Sequence, residues 1–479
     1  MDHSHALGTG KKSLNTLVGT VVSVLFLSML QTGPVWSDDV HINSSISGHG
    51  ARLLSQDTEK SNHLVGARDF VTRHAHGKNT ADQASPPWRE ALLSRLMAVD
   101  ADYPGEIGVF IKDLQSGHSL SFRGEESWYL ASGVKIPVAI TVMRAIERGQ
   151  LTLDTHLNLI EADLVDGAGP TKWQPVGTEF SVRHLLDQML ISSDNTASDL
   201  LIRAVGLEQV NHVMRELVPE GLGDVTTLAD VRRHAYSGFH HNAFNLSGHD
   251  FLVLRNQETE SGRIQALAKL MDVPAIDFNK ADMDSAFAAY YATDLNGGEL
   301  SAFAVLLEKL ANGEALNPDS TAYLMGVLGR VETGEQRIKA GLPGTVRFAH
   351  KTGTQHGRAC DLGVAVQDAI KDTHSLVQKA LVQGTHIMSR HLATRHLATR
   401  HLADQIGNEI QDTHNEIQDT HGHAAQNHAV TQDVAKDTHV VPIRVVIAVC
   451  SRGNRSLERS ELAFRQVGEA LKEVGFFRL

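Results

Sequence analysis

The chain reads as an α/β protein. Strand-forming runs stand near both ends of its patterned part, at 107–123 and again at 345–366 and 441–450. A long helix-rich middle separates them, and an amphipathic helix flanks the strands at each end. Ordinary composition, 42% hydrophobic and 21% charged, allows a sizeable core over 479 residues. A formal net charge of -12 argues against nucleic acid or an anionic membrane as partner, and no basic stripe overturns this.

Taken in order, residues 1–37 have the form of a signal peptide. Lys11 and Lys12 precede an apolar run from Leu17 to Leu30, and Val35-Trp36-Ser37 offers small residues at the two cleavage-determining positions. The run is brief for a spanning helix, so an exported, periplasmic or secreted chain is expected, with no membrane span after cleavage. Residues 38–85 lack an apolar period and read as a flexible leader. The folded domain is expected over 86–479.

Trp88, Leu92, Leu93, Leu96 and Met97 recur at helical spacing and predict the first helix. The runs Ile107–Leu114 and Ser119–Arg123, parted by Gln115-Ser116-Gly117, predict a hairpin. Ser132-Gly-Val-Lys135 then opens an apolar run. If 136–146 is helical, the serine and the lysine lie one turn apart on one face, with the amine in reach of the hydroxyl. A serine becomes a nucleophile when a neighbouring base takes its proton, and a lysine buried at a helix start can serve as that base. This is the chain's one Ser-x-x-Lys. By itself the pattern fits a surface serine beside a snorkelling lysine equally well.

The stretch Asp166–Pro170 reads as a glycine-rich loop. Ser181 opens a helix over 182–190 that ends at Ser193-Asp194-Asn195, and helices are predicted over 196–205, 207–217, 261–271 and 300–310. Thr345–Thr354 and Leu362–Val366 are strand runs, as is Val441–Cys450. Leu457–Val474 is an amphipathic helix with Leu462, Phe464, Val467, Ala470, Leu471 and Val474 as core contacts.

Between the last two strands, residues 367–440 form a polar, histidine-rich insert. Arg390–Thr394 repeats at Arg395–Thr399, and Asn408–His414 repeats at Asn415–His421. Too few and too polar for a solenoid, these copies read as a mobile excursion. Its ten histidines raise metal binding, but His391, His396 and His401 step about 140° around a helix and share no face. No metal and no cofactor is expected.

Three short motifs stand in order: Ser132-x-x-Lys135, Ser193-Asp194-Asn195 and Lys351-Thr352-Gly353. Together they make the chain resemble the class A β-lactamases among the penicillin-recognising serine hydrolases, over about 87–366 and 441–479. The resemblance implies an antiparallel sheet from both chain ends, flanked by helices, with an all-α domain inserted and the site between the two parts. It implies that Ser132 attacks a lactam or peptide carbonyl with Lys135 as base or relay, and that Ser193 passes a proton to the leaving nitrogen alongside Lys351. Asn195 would bind a substrate amide and hold Lys135. Lys351, Thr352 and Thr354 would meet the substrate carboxylate, with Gly353 between them. The backbone N–H groups of Ser132 and Thr354 would form the oxyanion hole.

Two departures qualify it. The family's loop with Glu-x-x-Leu-Asn, which positions the deacylating water, is absent. Matching Val225-Thr-Thr-Leu228 to the segment before that loop puts Arg232 where the glutamate belongs, with Asp230 as the nearest carboxylate and Asp294-Leu-Asn296 a distant echo. The spacing from Asn195 to Lys351 is also long. The expected protein is therefore a monomeric serine hydrolase of β-lactams. A D-Ala-D-Ala peptidase or esterase on the same fold, acting on a peptidoglycan stem, and a penicillin-binding protein that stays acylated are the alternatives. Cys360 and Cys450, the only cysteines, fall opposite each other if the two strands pair antiparallel with 366 against 444. They form either a disulfide or two buried thiols.

Overall fold

A computed structural model describes residues 86–368 and 442–477. The expectations for the signal peptide, the leader and nearly all of the insert lie outside the described residues.

Five antiparallel strands form the main sheet in the order β2-β1-β9-β8-β7: β1 Glu106–Asp113, β2 Ser119–Phe122, β7 Val346–Gln355, β8 Arg358–Gln367 and β9 Ile443–Arg452. The late strand β9 sits in the middle and joins the early hairpin to the β7–β8 pair. Its sequence shows why. Val445 to Cys450 is an unbroken apolar run, every member fully buried, as a strand covered on both faces requires. On one face, Val109, Ile111, Phe348, Ile447 and Val449 pack against the helices Trp88–Asp102 and Leu457–Glu473. On the other, Leu362, Val364, Val446 and Ala448 meet the helical part of the chain.

The hairpin turn falls at Gly117, whose φ of 76° suits the missing Cβ, and Ile111 faces Leu120 across it. Two helix-face expectations need correction. Leu462 is 41% exposed and Met97 44% exposed. The stripes that face the sheet run through Ala463, Phe464, Val467, Ala470 and Leu471, and through Leu92, Leu96 and Val99. Residues 462 and 97 lie about 80° and about 100° outside those arcs.

Two short strand pairs escaped the sequence reading. β3 Ser127–Tyr129 pairs with β6 Gly297–Glu299, and β4 His156–Asn158 pairs with β5 Glu179–Ser181. In β3 the fully buried Trp128 lies directly on Gly108 of β1, where a Cβ would fall 2.3 Å from the indole.

The long Asn195–Lys351 spacing has a structural cause. Between Thr227 and Asp294 the chain makes an excursion of four helices, Leu228–Ser237, Gly248–Arg255, Glu260–Met271 and Met283–Tyr291, and returns to its starting point. Asn296 pins the two ends together. Its Oδ1 accepts from Thr226 N (3.0 Å), its Nδ2 donates to Thr226 Oγ1 (2.7 Å) and Tyr290 Oη (2.9 Å), and its backbone N–H donates to the Asp224 carbonyl (2.9 Å).

Candidate active site

The three motifs arrive on three separate elements. Ser132 lies in a 3₁₀ turn, Ala131–Val134, that leads into the Lys135–Glu147 helix; that helix confirms the expected one, and Lys135 is its first residue. Ala131 has φ 48°, a strained value for a residue with a Cβ, and it sets the turn before the serine. Ser193-Asp194-Asn195 bridges two helices, Val182–Ile191 and Asn195–Val205. Ser193 also holds a positive φ, 61°. Asp194 caps the second helix, accepting from Ala197 N at 2.9 Å, while its other oxygen accepts from Thr171 N at 2.8 Å.

Lys135 is the centre of the arrangement. It is wholly buried, and its ammonium donates to the Ser193 carbonyl (2.5 Å), Ser193 Oγ (3.3 Å) and Asn195 Oδ1 (2.7 Å). The amine thus points across to the second motif. Its reach toward Ser132, expected from one-turn spacing, is not realised as a hydrogen bond among the described residues, because three acceptors on the facing loop take the donors. Burial lowers its pKa to about 7; Asp194 and Asp199 push the other way, and Arg232 reinforces the lowering.

Lys351-Thr352-Gly353 lies on β7, also as expected. Gly353 runs against the turn that carries Ser132: a Cβ there would fall 2.4 Å from the Leu130 carbonyl and 3.1 Å from the Ala131 Cβ. Only glycine permits that approach. Lys351 is fully buried and donates to the Thr352 carbonyl at 3.1 Å. Its pKa falls well below the ordinary lysine value, through burial first and then the positive charges of Lys135 and Arg337. Thr352 Oγ1 bonds Thr333 Oγ1 at 2.5 Å, and Thr354 is exposed.

Arg337 is the residue that sequence reasoning missed. It is 3% exposed, and its guanidinium donates to the Gly353 carbonyl (3.0 Å), the Cys360 carbonyl (2.7 Å), Thr354 Oγ1 (2.7 Å) and Glu461 Oε1 (3.3 Å). It fixes β7 against β8 and lays a second cation beside Thr354. Nothing in the run Glu335–Lys339 marks it, since the carbonyls it meets lie on strands distant in sequence.

On the far side, the loop read as glycine-rich carries a working pair. The Asp166 carbonyl accepts from Asn195 Nδ2 at 2.9 Å, while the Asp166 carboxylate pairs with Arg232. Gly167 sits where a Cβ would fall 2.5 Å from Asn195 Nδ2 and 3.3 Å from the Arg232 guanidinium. Arg232 therefore reaches the surroundings of Asn195. Asp230, on the first turn of the same helix, pairs with Arg233 at 2.7 Å. Asp199 accepts from Leu228 N and Ala229 N at 2.7 and 2.9 Å and anchors that helix from below; burial lifts its pKa to about 7.

Cys360 and Cys450 face each other in the β8–β9 register and are joined as a disulfide, with Cα atoms 4.0 Å apart. The bridge lies beneath the site, since Cys360 is also opposite Gly353.

Residues 91–413 match the beta-lactamase enzyme family. The chain belongs to that family. Among curated relatives, a beta-lactamase of Mycobacterium tuberculosis is 26% identical over 293 residues, 61% of this chain and 78% of that one. Beta-lactamase L2 of Stenotrophomonas maltophilia is 34% identical over 125 residues, 26% of this chain and 41% of that one. Among solved structures, the acyl-enzyme complex of a PBP-A mutant with penicillin G superposes with a TM-score of 0.50 at 16% identity, covering 81% of this chain and 98% of that one. The fold is accordingly that of the β-lactamases and transpeptidases, and the family is one of hydrolases.

Proposed function

We propose that the protein is a class A type serine hydrolase that opens β-lactam rings through an acyl-enzyme on Ser132, and that release of the acyl group is its slow step. The observation that carries this reading is the buried Lys135 amine. It stands one turn from Ser132, bonds Ser193 and Asn195, and is close to half neutral at pH 7. Ser132 Oγ attacks the lactam carbonyl carbon as its proton passes to Lys135, and the oxyanion is received by the backbone N–H groups of Ser132 and Thr354. Ser193, bonded to the same amine, delivers the proton to the leaving nitrogen as the ring opens. A substrate carboxylate is met by Lys351 and Thr354, with Arg337 behind them.

Slow release follows from the Arg232–Asp166 pair. Hydrolysis of the ester needs a base that deprotonates water, a contribution of roughly 10²- to 10⁴-fold. The carboxylate beside Asn195 is engaged by Arg232 and Asp230 is paired with Arg233, so neither stands unpaired to orient a water. Intact-mass spectrometry after mixing with penicillin tests both steps. One covalent penicilloyl equivalent should form quickly and decay slowly, and Ser132→Ala should show none. An adduct in that variant would refute the nucleophile; rapid loss in the wild type would refute slow release. If Asp230 orients the deacylating water after all, Asp230→Asn slows the decay alone.

Export is part of the proposal. A mature chain beginning at Asp38, read by N-terminal sequencing of secreted material, supports it, and a disulfide suits an oxidising compartment.

A further inference from the structure

Beside β3 and the Met283–Tyr291 helix lies a cavity of about 210 Å³ whose lining shares no residue with the three motifs. Its charges are unusual. The β8–β9 register sets Arg358 directly opposite Arg452, an unfavourable pairing of like charges. Arg452 is compensated: it bonds Glu106 (2.6 Å) and Glu126 (2.5 Å) and lies over the Trp128 ring at 4.4 Å. Among the described residues Arg358 makes no direct ion pair: it donates to the Gly357 carbonyl (3.0 Å) and stacks on Tyr291 at 4.5 Å, and Glu106 acts on it only from beyond ion-pair distance. Burial and the charge of Arg452 hold its pKa below the usual arginine value.

The same lining carries an opposite charge in the same condition. Asp294 is exposed, held at φ 57° on the turn into β6, and accepts from Ser127 Oγ at 2.8 Å. Among the described residues no basic group pairs with it. The rings of Tyr129 and Tyr291, 4.7 Å apart, line the same space. A guanidinium without a direct ion pair, a carboxylate without one and an aromatic wall therefore line a single space. That space equals about seven liquid-water volumes, room for a molecule of up to about a dozen non-hydrogen atoms.

We propose that this cavity binds a free α-amino acid as its zwitterion, the carboxylate on Arg358, the ammonium on Asp294 and an apolar side chain against Tyr129 and Tyr291. Guanidinium and carboxylate recognise the two ends by charge-assisted hydrogen bonds, and the aromatic wall takes the apolar remainder. The proposal does not rest on acylation at Ser132.

Phenylalanine, each enantiomer separately, is titrated into the full-length chain and followed by calorimetry. Saturable binding in the millimolar range is expected for at least one enantiomer, a level suited to so small a ligand. The same affinity is expected in Ser132→Ala. Arg358→Gln and the exposed Asp294→Asn should each weaken binding at least ten-fold. On the unaltered chain, 3-phenylpropanoate and phenethylamine, which each lack one charge, should be weaker by a similar factor. Those analogues keep the test decisive even if a variant fails to fold. Absence of saturable binding below roughly 30 mM overturns the proposal. So does binding indifferent to both substitutions, or a 3-phenylpropanoate affinity equal to that of phenylalanine. Binding abolished in Ser132→Ala but kept in Arg358→Gln would place the ligand in the catalytic cleft and also overturn it.

Discussion

The sharpest test of the chemistry is the pH dependence of acylation. If Lys135 takes the Ser132 proton, the rate follows its neutral fraction. With a pKa of about 7, that fraction is roughly one part in eleven at pH 6 and ten in eleven at pH 8. Acylation should therefore rise about ten-fold between pH 6 and pH 8 and flatten above. The sign follows from the cause: burial disfavours the ammonium, so the base is free at neutral pH. A lysine at the ordinary value of about 10.4 would give about a hundred-fold rise over the same interval and no plateau below pH 9. The burst phase of a chromogenic cephalosporin, followed by stopped flow from pH 5.5 to 9.5, distinguishes the two. Lys135→Arg, which keeps the charge but cannot give up its proton, should lose roughly 10²- to 10⁴-fold in burst rate and the inflection with it. A log-linear climb through pH 9 in the wild type, or an unchanged inflection in Lys135→Arg, would refute Lys135 as the base.

Other consequences are as direct. Arg337→Lys loses the fork that spans the Gly353 and Cys360 carbonyls; at about 1.5–3 kcal/mol for a hydrogen bond to a charged group, the second-order acylation constant should fall roughly 10- to 100-fold. An unchanged constant would deny that this arginine sets the strand. Replacing 370–438 by a Gly-Asn turn should leave acylation intact. The connection departs from the Gln367–Ile443 pair, seven residues or about 23 Å along β8 from Cys360 at the motif end. A folded but unreactive variant would show that the insert reaches the site. Thiol titration of denatured, unreduced protein should find no free cysteine, and two free thiols would reject the bridge.

The sheet was legible because its strands carry their environment in their letters. Val445 to Cys450 is apolar at every position because both faces are covered, and the register that opposes Cys360 to Cys450 is the one in which Val366 faces Arg444. The three motifs and their convergence were legible because each needs a special residue at a fixed offset. Examples are the glycine that lets β7 touch the Leu130 carbonyl and the serine held at positive φ between two helices. The short pairs β3–β6 and β4–β5 were not legible. Three-residue strands leave too little alternation to recognise, and Gly297-Gly298 in β6 carries no side chain to alternate.

What the sequence concealed at the site has one physical character: charges whose role depends on a distant partner. Arg232, read by position alone, is an arginine that displaces a glutamate. In the fold it is half of a buried pair with Asp166, a residue 66 positions earlier that the sequence presents as a loop aspartate among glycines. The pair cannot be inferred from either residue's neighbours, yet it engages the carboxylate of the residue whose carbonyl holds Asn195. Arg337 follows the same logic, since its donors reach β7, β8 and the last helix at once. The Asn296 clasp explains how such a change is tolerated. Because Thr226 and Asn296 are tied side chain to side chain, and the Asn296 carbonyl accepts from Leu130 N at 2.9 Å, the chain between them can be rebuilt while the turn holding Ser132 keeps its place. On the proposed acyl-enzyme reading, the turn that would be acylated is thereby insulated from the segment that would govern release, and the two steps are free to differ in speed.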